Sequence, residues 1–399
     1  MRRPFLYTIA LLFLAARAFA QEPVDPRATA RVRLGPLAFT PTISIKDVGL
    51  DTNVFNSSEN PVQDFTATVS PQVDFWLRVG SARISGRANV GYVFFLNYAG
   101  ERSFNTQDEF RVEFPRTHIK PFVEASYLNT RERSGLDVDT RARRMERWLT
   151  AGVDLLFSPR LTVRPAGRRG HVAYDQDAVS GGVPLRYVFD RDVTNLSVSA
   201  RYKVTPLATL VVAADAENAD FTFSPDRDSR TIRVMPGLEL SPFAIVKGSA
   251  YVGVRRLDML ASGIPDYLGP VGSAELRYTL RGSTGFSLNV NRDVFYSFEI
   301  EQPYYVLTDV TASVTRHVVG PWDVQGRIGH QQLAYRNVDT VPPLAPRTDQ
   351  VTFYGAGIGY RIGHTARLGV NLDSYHRRSP VPGRACDGLR LLTSITYGQ

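Results

Sequence analysis

Arginine and acidic side chains alternate with apolar ones along many short stretches of this 399-residue chain. In residues 81–96, SARISGRANVGYVFFL, Arg83 and Arg87 have one parity, and Ile84 and Val90 have the other. Arginine offers a planar fork of donors that suits carboxylates and phosphates, so a wall of such side chains can contact polar or anionic solutes. The same charges can instead pair with each other and serve only structure. The candidate solute contacts are Arg83, Arg87, Asp74, Arg201, Asp215, Arg255, Arg327, Arg367 and Asp373.

The sequence contains little that indicates a catalytic, metal or cofactor site. Ser374, His376 and Asp373 lie close together, but the aspartate has the opposite parity, so we expect no catalytic residues and no enzyme activity. The six histidines show no metal-ligand spacing, which predicts no metal site and no cofactor. The glycine-rich stretch GAGIGY at 355–360 is followed by no helix, so we interpret it as part of a strand and not as a dinucleotide site.

The elements that position these side chains are strands with a period of two. Tight turns such as VGSA (79–82), FPRT (114–117) and RIGH (361–364) recur about every forty residues, and a longer polar segment separates each pair of turns. Short turns at one end and long loops at the other are typical of an outer-membrane barrel. Two strands per repeat predict an all-β, transmembrane antiparallel barrel of about eighteen strands (range 16–18). Its apolar face would meet lipid and its polar face would line a lumen.

Aromatic residues on the lipid-facing parity lie close to the tight turns and to the C-terminus. We interpret them as a periplasmic girdle at the lipid–water boundary, formed by Phe114, Phe157, Tyr202, Tyr278, Trp322, Tyr360 and Tyr397. Two places fit the pattern badly. Residues 164–171, RPAGRRGH, interrupt the alternation, and Arg292 falls on the lipid-facing parity near a long loop. At both places we expect either a bulge or a strand register that differs from the assigned one.

The N-terminus predicts export. Residues 1–20 combine two early arginines, an apolar run too short to span a membrane, and a small-residue end, which together indicate a cleaved signal peptide. We then expect a short periplasmic segment at 21–36 and the barrel at 37–399, located in the outer membrane. Removing the three arginines of the signal lowers the formal net charge from +8 to +5, and no basic run interleaves with aromatics, so no nucleic-acid partner is expected. Cys386 is the only cysteine and is expected to be a loop thiol outside any disulfide.

The stretch from residue 34 to residue 100 resembles the β-barrel porins of exopolysaccharide and related surface-polymer loci. The resemblance rests on a motif, a tract that follows it and then an alternating strand. The motif is Gly49, Asp51, Asn53, Val54 and Phe55, and the tract contains Thr66, Ser70 and Pro71. It implies an outer-membrane conduit, in some members for a secreted polysaccharide, and it carries over no catalytic residue. The implied partners are outer-membrane lipid and lipopolysaccharide, the barrel-assembly machinery, a secreted polysaccharide and periplasmic export proteins.

The sequence is compatible with two functions. The first is a channel that passes polar solutes or a secreted polysaccharide through a lumen of mixed charge. The second is a closed structural or ligand-binding barrel that acts through its extracellular loops. A long third loop that folds inward would favour a constricted channel, and loops packed together outside would favour binding.

Overall fold

The described chain consists almost entirely of β-strands joined by turns and loops. A computed structural model describes residues 30–363 and 366–397, so the predicted signal at 1–20 lies outside the described residues. Strands are numbered in chain order: β1 Val32–Leu34, β2 Leu37–Asp51, β3 Asp64–Val79, β4 Ala82–Phe95, β5 Ser103–Glu113, β6 Ile119–Thr130, β7 Arg144–Leu156, β8 Leu161–Tyr174, β9 Val179–Ser180, β10 Val183–Pro184, β11 Arg191–Thr205, β12 Ala208–Phe221, β13 Ser229–Leu240, β14 Val246–Met259, β15 Tyr267–Leu280, β16 Thr284–Tyr296, β17 Tyr304–Val319, β18 Trp322–Arg336, β19 Thr348–Ile362, β20 Ala366–Arg378 and β21 Cys386–Tyr397.

The main sheet closes on itself as an antiparallel barrel. It has nineteen strands, of which β1 is a three-residue strand that pairs with β2. The remaining eighteen form a ring, because β2 pairs with β3 on one side and with the last strand, β21, on the other. Closure pairs the backbone groups of both terminal strands, which removes the sheet edges that lipid cannot satisfy. The predicted barrel of about eighteen strands is confirmed.

Loop lengths differ between the two ends of the barrel. Short turns such as 80–81, 206–207 and 320–321 join the strands at one end, and longer segments such as 131–143 and 175–190 join them at the other. Barrel strands of eleven to sixteen residues are long enough to cross a bilayer at a tilt of about 35–45°. Functional side chains can therefore sit either on the wall or on the long loops.

The motif at residues 49–55, on which the resemblance to a porin family rests, lies where the first and last barrel strands meet. Asp51 accepts a hydrogen bond from Arg390 of β21 (2.8 Å), which joins the first and last barrel strands. The Asn53 amide is buried and donates to the backbone carbonyls of Ser57 (2.8 Å) and Asp387 (2.9 Å). Asp51 and Asn53 therefore have a structural role, because they hold β2, β21 and the start of the first long loop together.

Two sequence-based expectations were wrong. Residues 164–171 continue β8 in one register with β11, with Pro165 paired opposite Val198, because the strand tolerates a proline where that position makes no ladder bond of its own. Cys386 is buried at the start of β21 instead of lying in a loop. The segment after residue 174 contains a two-residue hairpin, β9–β10, and a five-residue helix, Leu185–Phe189, which is too short to show a helical period.

None of the helices in the described part of the chain is long and apolar enough to span a membrane.

Candidate functional site

The barrel wall has an apolar outer face and a polar inner face. On β14, Val252 and Val254 are 68% and 51% exposed, whereas the side chain of Arg255 is only 11% exposed. Since consecutive residues of a strand point to opposite sides of the sheet, the exposed valines face outward and Arg255 faces the interior. Ile328 and Ile358 are exposed on the outer parity of β18 and β19 in the same way.

Most of the predicted solute contacts form ion pairs along the inner wall. Each pair joins strands one or two apart, and Asp215 pairs with an arginine that the sequence did not single out, Arg233 (3.0 Å). Arg83 is exposed beside the 80–81 turn. The roles of these residues as solute contacts stay a prediction, since protein carboxylates already occupy most of the guanidinium groups. The pairs are Arg87–Asp74 (2.7 Å), Arg201–Glu239 (3.2 Å), Arg255–Asp293 (2.8 Å), Arg367–Asp323 (2.6 Å) and Arg327–Asp373.

Glycines of the GAGIGY stretch make room for two of these ion pairs. A Cβ at Gly355 would lie 2.5 Å from Nε of Arg327, and one at Gly359 would lie 2.5 Å from Oδ1 of Asp323. Both glycines belong to β19, which runs between the two strands that carry the paired groups. The arginines can therefore cross over β19 only because these positions have no side chain. The interpretation of the stretch as a strand is confirmed.

The third long loop, residues 131–143, crosses the barrel to the opposite wall. Its Asp137 accepts hydrogen bonds from the Phe298 backbone N–H (3.0 Å) and from the Tyr335 hydroxyl. Tyr335 belongs to β18, nine strands around the ring from β7. Asp139 pairs with Arg377 of β20 (2.9 Å). The loop therefore extends across the lumen instead of projecting away from the barrel.

Burial of this loop shifts the pKa values of its charged groups. Burial raises the pKa of the Asp137 carboxyl above its usual range, although Tyr335 and Arg384 oppose the shift. Burial lowers the pKa of Arg133, which donates to the backbone carbonyls of Asp139 (2.8 Å) and Val54 (2.6 Å). Desolvation penalises the charged form of both groups. The loop is thus held in place by polar groups that are costly to bury.

The tip of the β16–β17 hairpin also folds inward. Pairing of β15 with β16 ends at Arg292, whereas pairing of β16 with β17 continues to Tyr296 opposite Tyr304. Beyond the split, Val294 and Val306 pack into a cluster on the inner wall. The tip leaves the wall because its apolar side chains find an inner apolar surface to cover. The cluster comprises Leu257, Met259, Tyr267, Val271, Val294, Tyr304 and Val306.

Arg227, in the loop between β12 and β13, holds the hairpin tip. Its guanidinium donates to the backbone carbonyls of Ser297, Pro303 (3.4 Å) and Glu299 (2.7 Å). Burial lowers the pKa of Arg227 to about 10. A buried cation that donates to three carbonyls fixes the conformation of the tip, since removing it would leave the Ser297 and Glu299 carbonyls without a donor.

An apolar cluster joins three inward segments at the mouth of the barrel. Val138 and Ala142 come from the third loop, Leu185 and Val188 from the short helix, and Phe298 from the hairpin tip. Because the members come from distant parts of the chain, their packing narrows the opening at the long-loop end. These residues, together with Asp137 and Arg227, were missed by the sequence reasoning, because the loops that carry them have no periodic pattern.

A cavity of about 690 Å³ lies between the third loop and the inner wall. Arg133, Gly135 and Leu136 of the loop form one side. Arg327 and Asp373 of the wall, both predicted solute contacts, belong to the same lining. The structure therefore brings two of the nine predicted residues together with the loop, and it distributes the others around the barrel. The volume lies within the range of about 300–1,000 Å³ that is usual for small-molecule sites.

The seven predicted girdle aromatics lie at the short-turn end of the barrel or at its C-terminus. Phe157 and Trp322 are exposed on the outer face, and Trp322 packs edge-on against Tyr360 with ring centroids 4.9 Å apart. Arg292 lies on the outer parity and donates to the Pro270 carbonyl (3.2 Å). The contact of the aromatics with a lipid boundary stays a prediction. Within the described residues, no cluster of three or more histidine, cysteine or acidic side chains is arranged to hold a metal ion.

A closed antiparallel ring of eighteen strands, with short turns at one end and inward-folded loops at the other, defines an outer-membrane β-barrel of the porin class. The chain belongs to the family described as Putative beta-barrel porin 2, which matches residues 25–397. Family and fold are those of channels that are not enzymes, and they place the protein in the outer membrane.

Solved structures share this fold at low sequence identity. The chain is similar to OpdK of Pseudomonas aeruginosa in a crystal structure with vanillate, with 11% identity over 90% of this chain and 98% of that chain and a TM-score of 0.50. It is similar to OccK2 (OpdF) of Pseudomonas aeruginosa, with 10% identity over 90% of this chain and 97% of that chain and a TM-score of 0.51. At these identities the likeness concerns the fold alone. No curated protein matches the chain.

Proposed function

We propose that the protein is a constricted channel that passes small polar solutes, with anionic solutes favoured, through the mixed-charge interior of the barrel. The observation that carries the proposal is the course of the third loop, which reaches Tyr335 and Arg377 on the opposite wall. A loop inside the lumen narrows the path for solutes, whereas a loop used only for surface binding would remain outside.

The cavity beside the loop supports the preference for anionic solutes. Arg133 lines it and is held there by backbone carbonyls, without a carboxylate within ion-pair distance among the described residues. Its guanidinium thus retains positive charge that a solute carboxylate could neutralise. The wall pairs such as Arg327–Asp373 would supply further donors by exchanging partners as a solute passes.

A closed barrel that acts through its loops is the second candidate. The apolar cluster around Phe298 and Leu185 favours it, because such packing resists the passage of water and solutes. Passage of a secreted polysaccharide, which the resemblance to surface-polymer porins implies, would require the third loop to move away from the opposite wall. Lipopolysaccharide, the barrel-assembly machinery and periplasmic export proteins are proposed as partners of either form.

Single-channel conductance of the refolded chain, residues 21–399, in a planar bilayer tests the proposal. We expect small open steps with a preference for anions that falls when Arg87→Glu or Arg133→Glu is introduced. Arg256→Glu is the matched control for Arg87→Glu, because Arg256 also pairs with an aspartate at 2.7 Å but lies on the outer face. Absence of steps from protein shown to be inserted would contradict the channel and favour the closed barrel.

A further inference from the structure

We propose that Ser374, His376 and Asp387 form a serine hydrolase site on the outer face of the barrel. The Ser374 hydroxyl lies 3.2 Å from Nε2 of His376. On the other side of the same imidazole ring, Nδ1 of His376 lies 2.8 Å from Oδ1 of Asp387. A hydroxyl, an imidazole and a carboxylate connected in this order form the arrangement that activates a serine nucleophile.

Strand geometry explains why these three residues meet. Ser374 and His376 are two positions apart on β20 and therefore share the outer face. In β21, Asp387 is paired directly opposite His376, so its side chain points to the same face. Asp373, the aspartate adjacent in sequence, instead faces the interior and pairs with Arg327. The acid of the site is thus supplied by the neighbouring strand.

Asp387 is fixed from the seam of the barrel. Its backbone carbonyl accepts a hydrogen bond from the buried Asn53 amide (2.9 Å), and the backbone N–H of Leu389 donates to the Thr52 hydroxyl (2.9 Å). The start of β21 is therefore held by the first long loop as well as by β20. A carboxylate on an anchored backbone can hold the histidine ring in one tautomer, which is the role of the third member of such a site.

The position of the site in the wall indicates its substrate class. His376 is eight residues from Leu368 near the short-turn end, which places it about 20 Å along the barrel axis for a rise of about 3.3 Å per residue and a tilt of about 40°. The neighbouring outward side chains Leu372 and Leu389 are exposed and apolar. The side chains of His376 and Asp387 are 49% and 77% exposed. The serine thus lies where an apolar wall meets polar groups, which suits the ester-linked acyl chain of an outer-leaflet lipid.

The reaction is an ester hydrolysis that uses only water as co-substrate. The Ser374 oxygen attacks the ester carbonyl carbon while Nε2 of His376 accepts the hydroxyl proton, and the same nitrogen returns that proton to the departing alcohol. Water, deprotonated by His376, then hydrolyses the acyl-serine and releases the fatty acid. The backbone N–H groups of the strand are already hydrogen-bonded to neighbouring strands. The negative charge that develops on the ester oxygen must therefore be stabilised by side chains. Arg378 and Thr352 are the outward-facing groups beside His376 in sequence and in register.

A long-chain fluorophosphonate probe tests the site in refolded full-length protein embedded in vesicles that contain lipopolysaccharide. We expect covalent labelling of Ser374, located by mass spectrometry, and slow release of fatty acid from an ester lipid. Ser374→Ala should abolish labelling. Asp387→Asn should slow it by about 10⁴-fold, because the histidine tautomer would no longer be fixed. The shift of barrel mobility on heating a gel sample confirms folding of every variant.

A matched control lies on the same outer face. His171 pairs with Asp192 at 2.8 Å and is similarly exposed, but that pair has no serine hydrogen-bonded to the ring among the described residues. His171→Gln should leave labelling unchanged, whereas His376→Gln should remove it. Folded protein that is not labelled, or labelling that persists in Ser374→Ala, would overturn the proposal and leave the three residues as a polar cluster at the lipid boundary. Either labelling result can be interpreted whether or not the protein conducts ions, so the test of this site is separate from the test of the channel.

Discussion

At the level of single residues, an arginine of the inner wall needs a carboxylate partner and also an unobstructed path to reach it. Arg327 and Arg367 reach carboxylates two strands away, and each crosses a glycine of β19 on the way. The sequence predicted which face these arginines occupy, because parity is a local property. It did not predict their partners, because a partner two strands away depends on register across three strands.

A side chain at Gly359 should destabilise the barrel. Gly359→Val would place its Cβ 2.5 Å from the buried Asp323 carboxylate and force the Arg367–Asp323 pair apart. We expect a loss of about 2–4 kcal/mol, from overpacking and from leaving a buried charge without its partner. The temperature at which the folded band disappears on a gel measures the effect. Ala356→Val, on the exposed outer parity of the same strand, is the control and should shift that temperature little.

Protonation of Asp137 should strengthen closure of the third loop. Its pKa is raised by burial when the loop is closed, and it returns to the usual range when the loop opens to water. Between those two pKa values the closed form binds more protons, so closure is favoured as the pH falls and weakened as the pH rises through the raised pKa. The groups that face Asp137 are Tyr335, Arg384, Ser297, the Phe298 backbone N–H and, by charge, Arg227.

Conductance measured from neutral to acidic pH tests this prediction. We expect open time to fall with pH in the unmodified protein. Asp137→Asn, which resembles the protonated acid, should give short open times at every pH. A pH dependence that survives in Asp137→Asn would show that another group controls the loop.

At the scale of elements, the β16–β17 hairpin shows how a regular strand can leave the wall. Its alternation continues past Arg292, so parity alone assigns Val294 and Tyr296 to the lipid face. In the structure Tyr296 instead packs edge-on against Phe221 on the inner side and bonds the Ser229 hydroxyl (2.6 Å). The difference arises because β15 ends its pairing earlier than β17, and the free tip turns toward an apolar surface inside.

Removal of the Arg227 guanidinium should release the hairpin tip. Arg227→Met keeps an apolar stem but leaves the carbonyls of Ser297 and Glu299 without their donor, while the Pro303 carbonyl keeps the Ser297 backbone N–H. We expect larger and more frequent conductance steps and faster proteolysis within residues 297–303, since lost bonds to a charged donor cost about 1.5–3 kcal/mol each. Arg230→Met, on the exposed outer face of β13, is the control. Unchanged conductance and proteolysis would mean that apolar packing alone holds the tip.

At the scale of the whole molecule, closure of the ring assigns every side chain to lipid, lumen or mouth. The three tryptophans lie on two different sides of the wall, the outer face and the inner face. Trp322 is exposed on the outer face near the short turns, whereas Trp76 is paired opposite the buried Ala38 and Trp148 lies beneath Arg168 on the inner side. The sides of the wall can therefore be distinguished by a spectroscopic measurement on the intact barrel.

Fluorescence of single-tryptophan proteins in vesicles with brominated lipids should report this arrangement. Protein that retains only Trp322 should be quenched most by bromine placed near the headgroups, because the predicted girdle lies at that depth. Protein that retains only Trp148 is the matched control and should respond weakly at every depth. Strong quenching of Trp148 would contradict the assigned inner face.

Local sequence patterns were sufficient to predict the barrel, its approximate strand number, the face of most wall residues and the end at which the aromatics lie. These features follow from a period of two and from the spacing of turns, which depend on neighbours in the chain. The inward course of residues 131–143, the packing of Phe298 and the contact of His376 with Asp387, and not with Asp373, emerge only in the folded barrel. Those outcomes depend on which distant strands become neighbours when the ring closes, and no local pattern encodes that proximity.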